Sequence, residues 1–148
     1  MAAPRLNALQ DESWRGLLYA HDHLWREVEA GLASLNVSMA EYSVLALLGE
    51  VGDAGMRMSE LARRRVMSTG GFTRLADRLD RRGLIERRRA EEDGRGMVAV
   101  LTPQGRALLR SAWRQHRADL QRLFFDRLDE QDLRDLARVW AKVLPETE

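Results

Sequence analysis

The sequence contains no cysteine among its 148 residues. Disulfides, thiolate metal sites, a cysteine nucleophile and thiol redox sensing are therefore excluded for this chain. It also lacks any apolar run near the roughly 18 residues that a membrane-spanning helix needs. The first ten residues carry no apolar signal-peptide core, so we expect a cytoplasmic protein with no membrane partner.

Lysine is almost absent, and the charge is unevenly distributed. Apolar residues make up 45% and charged residues 32%, as in a folded domain. Residues 56–106 hold 13 arginines and 7 acidic residues, a net charge of +6, whereas the rest of the chain carries −5. A basic middle between acidic flanks favours a polyanion-binding module, although a solvated surface with uneven charge remains an alternative.

Two amphipathic helices are predicted before the basic segment. The first should begin at Ser13 as N-cap, and its apolar stripe comprises Trp14, Leu17, Leu18, His21, Leu24, Trp25, Val28 and Leu32. Ser38–Glu41 (SMAE) has the pattern of a capping box, with Val37 and Tyr42 at hydrophobic-staple positions. The second helix should therefore begin there and end at Gly52.

Two short helices joined by a turn are predicted within the basic segment. Ser59 is the expected N-cap of the first, and Ser68 that of the second, which should run over residues 69–82. The apolar stripe of the second helix comprises Phe72, Leu75, Ala76 and Leu79. Gly83 follows as a left-handed helix terminator. This is the helix-turn-helix pattern, in which the second helix enters the major groove of DNA.

A β-hairpin is predicted after the second short helix. Residues 84–90 and 97–101 are strand-like, and the segment between them contains the glycines of a hairpin tip. Thr102 and Pro103 have the pattern of an N-cap and first helical residue, so a long helix should follow. Asp129 is the expected N-cap of a last helix.

The segment MSELARRRVMSTGGFTRLADRLDRRGLIERRRAEEDGRGMVAVLTPQG (Met58–Gly105) resembles the winged helix-turn-helix of the MarR family of bacterial transcription regulators. WRGLLYAHDHLWREVE resembles the first helix of that family, and LTPQGRALL the start of its long dimerisation helix. The resemblance implies a mainly α fold with a small β-hairpin wing. It also implies one MarR-type domain over residues 1–148, with a DNA-binding lobe at 37–102 and dimerisation helices at 10–36 and 103–146.

The resemblance further implies two DNA-contacting regions. The recognition-helix candidates are Ser68, Thr69, Thr73, Arg74 and Arg78. The wing candidates are Arg87, Arg88, Arg89, Asp93 and Arg95. Arg95 matches the arginine that relatives place in the minor groove, where a narrow groove attracts a guanidinium, and Asp93 is expected to hold the shape of the tip. Gly70 stands where many relatives carry a side chain, so we expect recognition to depend on backbone contacts, the wing and DNA shape.

Histidines and aromatic residues suggest no metal but leave a ligand pocket open. His21 and His23 diverge by about 200° on a helix, which makes a poor chelate, so we expect no metal and no cofactor. Trp14, His21, Trp25 and Tyr42 belong either to core and dimer interface or to a pocket. The pocket hypothesis rests on the family, many members of which bind small aromatic or lipophilic acids.

The sequence thus predicts a homodimeric transcription regulator. We expect a repressor that binds a palindromic operator in double-stranded DNA and is released by a small aromatic or lipophilic ligand. The alternative is a winged-helix module for protein assembly without specific DNA binding. An enzyme is not expected, because no nucleophile with a base, phosphate loop or chelating pair is recognisable.

Overall fold

The structure, a computed structural model, describes residues 5–64, 69–90 and 96–144, which contain six α-helices, two 3-10 turns (Gly52–Ala54 and Phe125–Arg127) and three short strands. The helices are α1 (Ala8–Ala33), α2 (Met39–Val51), α3 (Met58–Arg64), α4 (Thr69–Arg81), α5 (Pro103–Leu123) and α6 (Glu130–Val143). The strands are β1 (Met56–Arg57), β2 (Ile85–Arg89) and β3 (Met97–Leu101). The predicted mainly α fold with a small β wing is confirmed.

The chain divides into two compact units. One comprises Met1–Val28 with Arg117–Glu148 and is called here the helical unit. The other comprises Glu29–His116 and is called the winged unit. The winged unit contains α2, α3, α4 and the whole sheet, and it therefore carries both predicted DNA-contacting regions.

One hydrophobic core holds the winged unit together. Its deeply buried members come from α2, α3, α4, β2, β3 and the turn before β2 and include Val44, Leu45, Leu48, Leu61, Leu79, Leu84, Ile85, Ala99 and Leu101. The predicted stripe of α4, from Phe72 to Leu79, is buried in the same cluster. Burial of this face leaves the opposite face of α4 directed outwards.

The wing is a three-stranded antiparallel sheet in the order β1-β3-β2. β2 and β3 form the predicted hairpin, in a register that pairs Arg87 with Ala99 and Ile85 with Leu101. The hairpin prediction omitted β1, whose Met56 pairs with Ala99 on the other side of β3. A two-residue strand leaves no alternating pattern long enough to recognise in a sequence.

Three predicted helix ends are confirmed by their hydrogen bonds. The Ser38 Oγ accepts from the Glu41 N–H at 3.2 Å, and a Glu41 carboxylate oxygen accepts from the Ser38 N–H at 2.9 Å, which completes a capping box. Thr102 caps α5, since its Oγ1 accepts from the Gly105 N–H at 3.0 Å. Asp129 forms a second capping box with Asp132 at the start of α6.

Two predicted N-caps are wrong. The Ser13 Oγ donates to the Leu9 carbonyl at 2.7 Å, so Ser13 lies inside α1. The Asn7 Oδ1 accepts from the Gln10 N–H, and the Gln10 Oε1 accepts from the Asn7 N–H, each at 2.9 Å, so a cap further upstream starts the helix. Ser59 is the second residue of α3, because that helix follows β1 without a loop.

The end of α4, the start of β2 and the start of α5 are packed closely together. Gly83 has a φ of 67° and ends α4 as predicted, with the Leu84 N–H donating to the Leu79 carbonyl. The Thr102 Oγ1 donates to the Gly83 carbonyl at 2.6 Å. A Cβ on Gly105 would lie 1.9 Å from the Leu84 carbonyl oxygen, so only glycine fits there. These contacts fix the direction in which the chain leaves α4 for the wing.

The helical unit exposes many large apolar side chains. On α1 these are Leu9, Trp14, Leu17, Leu18, Tyr19 and Trp25, and towards the C-terminus Phe125, Val139, Val143 and Leu144. Trp14 is 54% exposed and Val143 66% exposed. Exposed large apolar side chains in such number favour a surface that associates with a partner.

Candidate nucleic-acid interface

The outward face of α4 carries glycine and polar side chains in the first half of the helix. Gly70, Thr73 and Arg74 are exposed there, at the spacing that places residues on one side of a helix. Arg74 forms no ion pair with another residue of the described ranges, so its guanidinium is available to a ligand. Thr69 begins the helix, and Ser68 lies outside the described residues.

Arg78 differs from Arg74 because it is held by a buried acid. Its Nε donates to the Glu41 Oε1 at 2.8 Å, although its side chain is still 52% exposed. The Arg82 Nη1 donates to the same oxygen at 2.9 Å. One carboxylate of α2 thus binds two arginines from the C-terminal part of the recognition helix and the residue after it.

Glu41 stays ionised although it is only 4% exposed. Burial acts to raise its pKa, but the hydrogen bonds from Ser38 and Arg78 and the charges of Arg78 and Arg82 outweigh burial, and the pKa lies below its ordinary value. Two cations and a backbone N–H therefore compensate the cost of burying this charge.

The stem of the wing is joined to α4. Arg87 is 22% exposed, and its Nη2 donates to the Asp77 Oδ1 at 2.5 Å. Its Nε faces the Asp80 Oδ2 at 3.4 Å, as an ion pair without the geometry of a hydrogen bond. Both acids lie on the side of α4 that faces the sheet, so Arg87 links the two predicted DNA-contacting regions.

The next two wing arginines have different surroundings. The Arg88 Nη2 donates to the Asp53 carbonyl at 2.5 Å, which ties β2 to the 3-10 turn Gly52–Ala54. Arg89 is exposed and forms no ion pair with another described residue. Together with Arg57 they line a groove of about 700 Å³ beside the wing, in which three arginines and one acid, Asp53, leave a net positive charge suited to phosphate. Asp93 and Arg95, which the sequence predicts at the tip, lie outside the described residues.

Helix α3 carries a second pair of arginines on one acid. Glu60 accepts from Arg63 at 2.9 Å and from Arg64 at 2.7 Å. These pairs lower the pKa of Glu60, with the hydrogen bond from Arg64 as the largest cause. Arg65 lies outside the described residues.

An apolar cleft of about 610 Å³ lies between α2 and α5 within the winged unit. Its walls are formed by Tyr42, Ala46, Gly49 and Glu50 from α2 and by Leu109, Arg110, Trp113 and Arg114 from α5, so two arginines face it with one acid. The Tyr42 ring packs against His116 with centroids 4.9 Å apart, and burial raises the pKa of Tyr42. Of the four predicted pocket residues, Tyr42 lines this cleft.

The other three predicted pocket residues belong to the helical unit. His21 and Trp25 stack with ring centroids 5.7 Å apart, and Trp14 is exposed on the same helix. The sequence offered no sign that α5 supplies the opposite wall of the cleft. Trp113 and the two arginines beside it resemble any other part of an amphipathic helix when the sequence is read alone.

The residues that organise the interface were also missed. The sequence identifies Glu41 only as part of a capping box, and it gives no role to Asp77 or Asp80. Their partners are distant in sequence: Arg78 follows Glu41 by 37 residues. No local sequence pattern indicates such a pair. A buried carboxylate does need a basic partner, so an acid expected at a buried helix start should be matched with arginines of the other predicted helices.

The described part of the chain offers neither a metal-binding cluster nor a membrane-spanning helix. Within ranges 5–64, 69–90 and 96–144, no group of three or more histidine or acidic side chains is placed to hold a metal ion. No helix of those ranges has the length and apolarity to span a membrane.

Fold and site together define a winged helix-turn-helix protein, and comparison with known proteins gives the family. A family model described as MarR family matches residues 35–96. AbsC, a MarR family transcriptional regulator from Streptomyces coelicolor, superimposes with a TM-score of 0.87 at 29% identity, covering 95% of each chain. A second MarR family regulator from that organism, solved in complex with DNA, gives 0.85 at 26% identity, covering 97% of this chain and 91% of that one.

Sequences of known regulators match a shorter part of the chain than the solved structures do. An HTH-type transcriptional repressor of Mycobacterium tuberculosis is 30% identical over 86 residues, which are 58% of this chain and 60% of the repressor. The chain spans between 54% and 65% of the length of the curated relatives that it matches.

Residues 35–96 match the MarR family of transcriptional regulators, and the fold matches that of a solved MarR family regulator over 95% of the chain. The predicted resemblance to this family is therefore confirmed. Because members of this family are transcription regulators and not enzymes, the expectation that the chain is not an enzyme is also confirmed.

Proposed function

We propose that the chain binds double-stranded DNA in a sequence-specific manner through α4 and the wing. The exposed polar face of α4 carries this proposal, since Arg74 has no ion-pair partner among the described residues while the opposite face forms the core. The groove lined by Arg57, Arg88 and Arg89 adds positive charge beside the wing. A solved relative of similar fold is described in complex with DNA, which supports the same activity here.

In this proposal the predicted contact residues divide by role. Thr69, Thr73, Arg74 and Arg78 face the major groove, and Arg89 contacts phosphate beside it. Ser68, at the start of the recognition helix, and Asp93 and Arg95, at the wing tip, complete the set predicted from the sequence. Arg87 and Arg88 contribute mainly by holding the wing, because each already has a partner within the protein.

The regulator acts as a homodimer. The exposed tryptophans and leucines of the helical unit need a partner surface, and a second copy of the same chain provides one through two-fold symmetry. A two-fold dimer presents two recognition helices to one face of B-DNA, so the half-sites lie about 10 base pairs apart, centre to centre. The operator is therefore an inverted repeat. The protein binds it in the bacterial cytoplasm.

The dimer acts as a repressor that a small aromatic or lipophilic ligand releases. The cleft between α2 and α5 is a suitable site, since Tyr42 and Trp113 offer aromatic surface and Arg110 and Arg114 offer positive charge to an acid group. The repressor named among the matching sequences supports this sign of regulation. The alternative is a winged-helix module for protein assembly, which would bind DNA of any sequence alike or not at all.

The decisive experiment is a DNA-binding titration. The purified protein is offered fluorescent duplexes from its own promoter region and a scrambled duplex of equal length. We expect nanomolar-to-micromolar binding to an inverted repeat, weakened at least tenfold by Arg74→Ala, with Arg15→Ala as a control of equal charge change on α1. Equal affinity for promoter and scrambled DNA would favour the assembly module instead.

A further inference from the structure

Glu41 connects α2 with the recognition helix α4, because it is buried in α2 and accepts a hydrogen bond from Arg78. We propose that Glu41 is a positioning residue that sets the specificity of DNA binding by fixing α4 in one orientation. This inference rests on the proposed function. Glu41 itself contacts no base and no phosphate; it acts through Arg78 and Arg82.

The geometry fixes rotation as well as distance. Arg78 and Arg82 are four positions apart, and both donate to the Glu41 Oε1, at 2.8 and 2.9 Å. The other carboxylate oxygen accepts from the Ser38 N–H at 2.9 Å, so the carboxylate is itself held at the start of α2. These two contacts, one from the last turn of α4 and one from the residue that follows it, hold the helix to one fixed group and oppose its rotation about its own axis.

A further bond anchors the same end of the helix. The Arg82 Nη2 donates to the Asn36 carbonyl at 2.7 Å, in the loop before α2, where Asn36 has a positive φ of 56°. The C-terminal end of α4 is therefore bonded to α2 and to the preceding loop. The exposed first half, with Thr73 and Arg74, takes its direction from this anchored end.

Orientation matters more for base contacts than for phosphate contacts. A hydrogen bond to a base edge needs a donor–acceptor distance of about 2.7–3.2 Å and a nearly linear angle, so a small rotation of α4 abolishes it. Attraction to phosphate is long-ranged and carries no sequence information, and it tolerates the same rotation. Loss of Glu41 also removes one negative charge beside two arginines, which favours DNA of any sequence. Specific and non-specific affinity should therefore change in different directions.

Glu60 provides a matched control. It also binds two arginines, Arg63 and Arg64, and Glu60→Gln makes the same change in charge as Glu41→Gln. Its partners, however, lie on its own helix, so the substitution releases arginines without freeing one element from another. Ser38→Ala is the second control, because it weakens the capping box and leaves the carboxylate of Glu41 with its arginines.

The experiment measures the specificity ratio of each variant. A high-affinity duplex is first enriched from random DNA with the wild-type protein, and anisotropy titrations then compare this duplex with a scrambled one at several salt concentrations. We expect Glu41→Gln to lower the ratio of specific to non-specific affinity about tenfold, with no loss of affinity for scrambled DNA. Glu60→Gln and Ser38→Ala should keep the wild-type ratio, although Ser38→Ala should melt earlier.

The ratio separates positioning from mere stability, since a partly unfolded sample binds both duplexes less in equal proportion. If Glu41→Gln is too unstable to purify, Arg82→Gln removes one of the two anchors and should lower the ratio by a smaller factor. An unchanged ratio in the folded variant overturns the inference. If the wild-type protein itself enriches no sequence, the proposed function fails, and the role of Glu41 fails with it.

Discussion

Arg87 of strand β2 donates a hydrogen bond to Asp77 of helix α4 at 2.5 Å. The wing stem and the recognition helix are thereby joined through a side chain that is only 22% exposed. Arg89, two residues along the same strand, is exposed and has no ion pair with another described residue. Two arginines of one strand therefore have different electrostatic surroundings, although their sequence context is nearly the same.

The first prediction compares these two arginines. Arg87→Gln should lower the free energy of unfolding by about 0.5–1.5 kcal/mol, because it breaks ion pairs with half-exposed acids, and should leave the salt dependence of DNA binding nearly unchanged. Arg89→Gln should leave stability within about 0.5 kcal/mol and lower the salt slope by about one unit. Urea unfolding and anisotropy titrations at several salt concentrations measure both quantities. If Arg87→Gln instead lowered the salt slope and Arg89→Gln lowered the stability, Arg87 would be the residue that contacts phosphate.

The second prediction concerns two glycines in helices. Gly105→Ala should destabilise the protein by more than about 2 kcal/mol, because the new Cβ would lie 1.9 Å from the Leu84 carbonyl oxygen, which belongs to rigid backbone. Gly16→Ala should instead stabilise it by about 0.5–1 kcal/mol, since no atom lies within 4 Å of the added Cβ in helix α1. Thermal melting of both variants tests the pair. A mild effect at Gly105 would mean that α5 can move away from β2.

Elements with strong local signals could be predicted from the sequence, and elements defined by long-range contacts could not. The periodic stripe of α4, the capping box at Ser38 and the terminator Gly83 each need only a few neighbouring residues, and each is confirmed. Strand β1 has only two residues and exists because it pairs with β3. Such an element has no independent signal to detect.

The same distinction applies to the candidate interface. The sequence predicts which arginines belong to the recognition helix and the wing, since their positions follow from the motif. It does not predict which of them are paired within the protein, because Arg78 and Arg87 find their acids through the folding of α2, α4 and β2 against one another. The difference between Arg74 and Arg78 is therefore a property of the tertiary structure.

The third prediction is a pH dependence that belongs to Glu41. Burial acts to raise its pKa, but hydrogen bonds from Ser38 and Arg78 and the nearby arginine charges hold the folded-state pKa below the ordinary value of 4.5. The unfolded state consequently binds a proton more readily than the folded state. The stabilisation from this group is fully present above that ordinary value and is lost as the pH falls through the folded-state pKa.

Glu41→Gln removes this titration and serves to isolate it. The difference in unfolding free energy between wild type and Glu41→Gln should be constant near neutral pH and should shrink as the solution is made more acidic than pH 4.5. Urea unfolding curves at a series of pH values measure the difference. A gap that widens in acid would mean that the folded-state pKa of Glu41 lies above its ordinary value.

The last prediction concerns Arg95, which lies outside the described residues and is predicted from the sequence alone to enter the minor groove. Arg95 stands between Gly94 and Gly96 in the sequence. Gly96 has a φ of 120°, a backbone conformation that residues other than glycine rarely adopt. Arg95→Ala should weaken binding to the operator by about 1–3 kcal/mol and leave the melting temperature nearly unchanged, since a residue at a hairpin tip contributes little to the core.

The loss should also depend on DNA shape. It should be larger where the flanking minor groove is narrow and A·T-rich, because that groove concentrates negative potential, and smaller on G·C-rich flanks. Arg89→Ala is the control, since a phosphate contact should weaken binding to both kinds of flank alike. Anisotropy titrations on operators that differ only in their flanks, together with melting curves, give the answer. Equal losses on both flanks would make Arg95 another phosphate contact, and a markedly lower melting temperature would make it a structural residue of the wing.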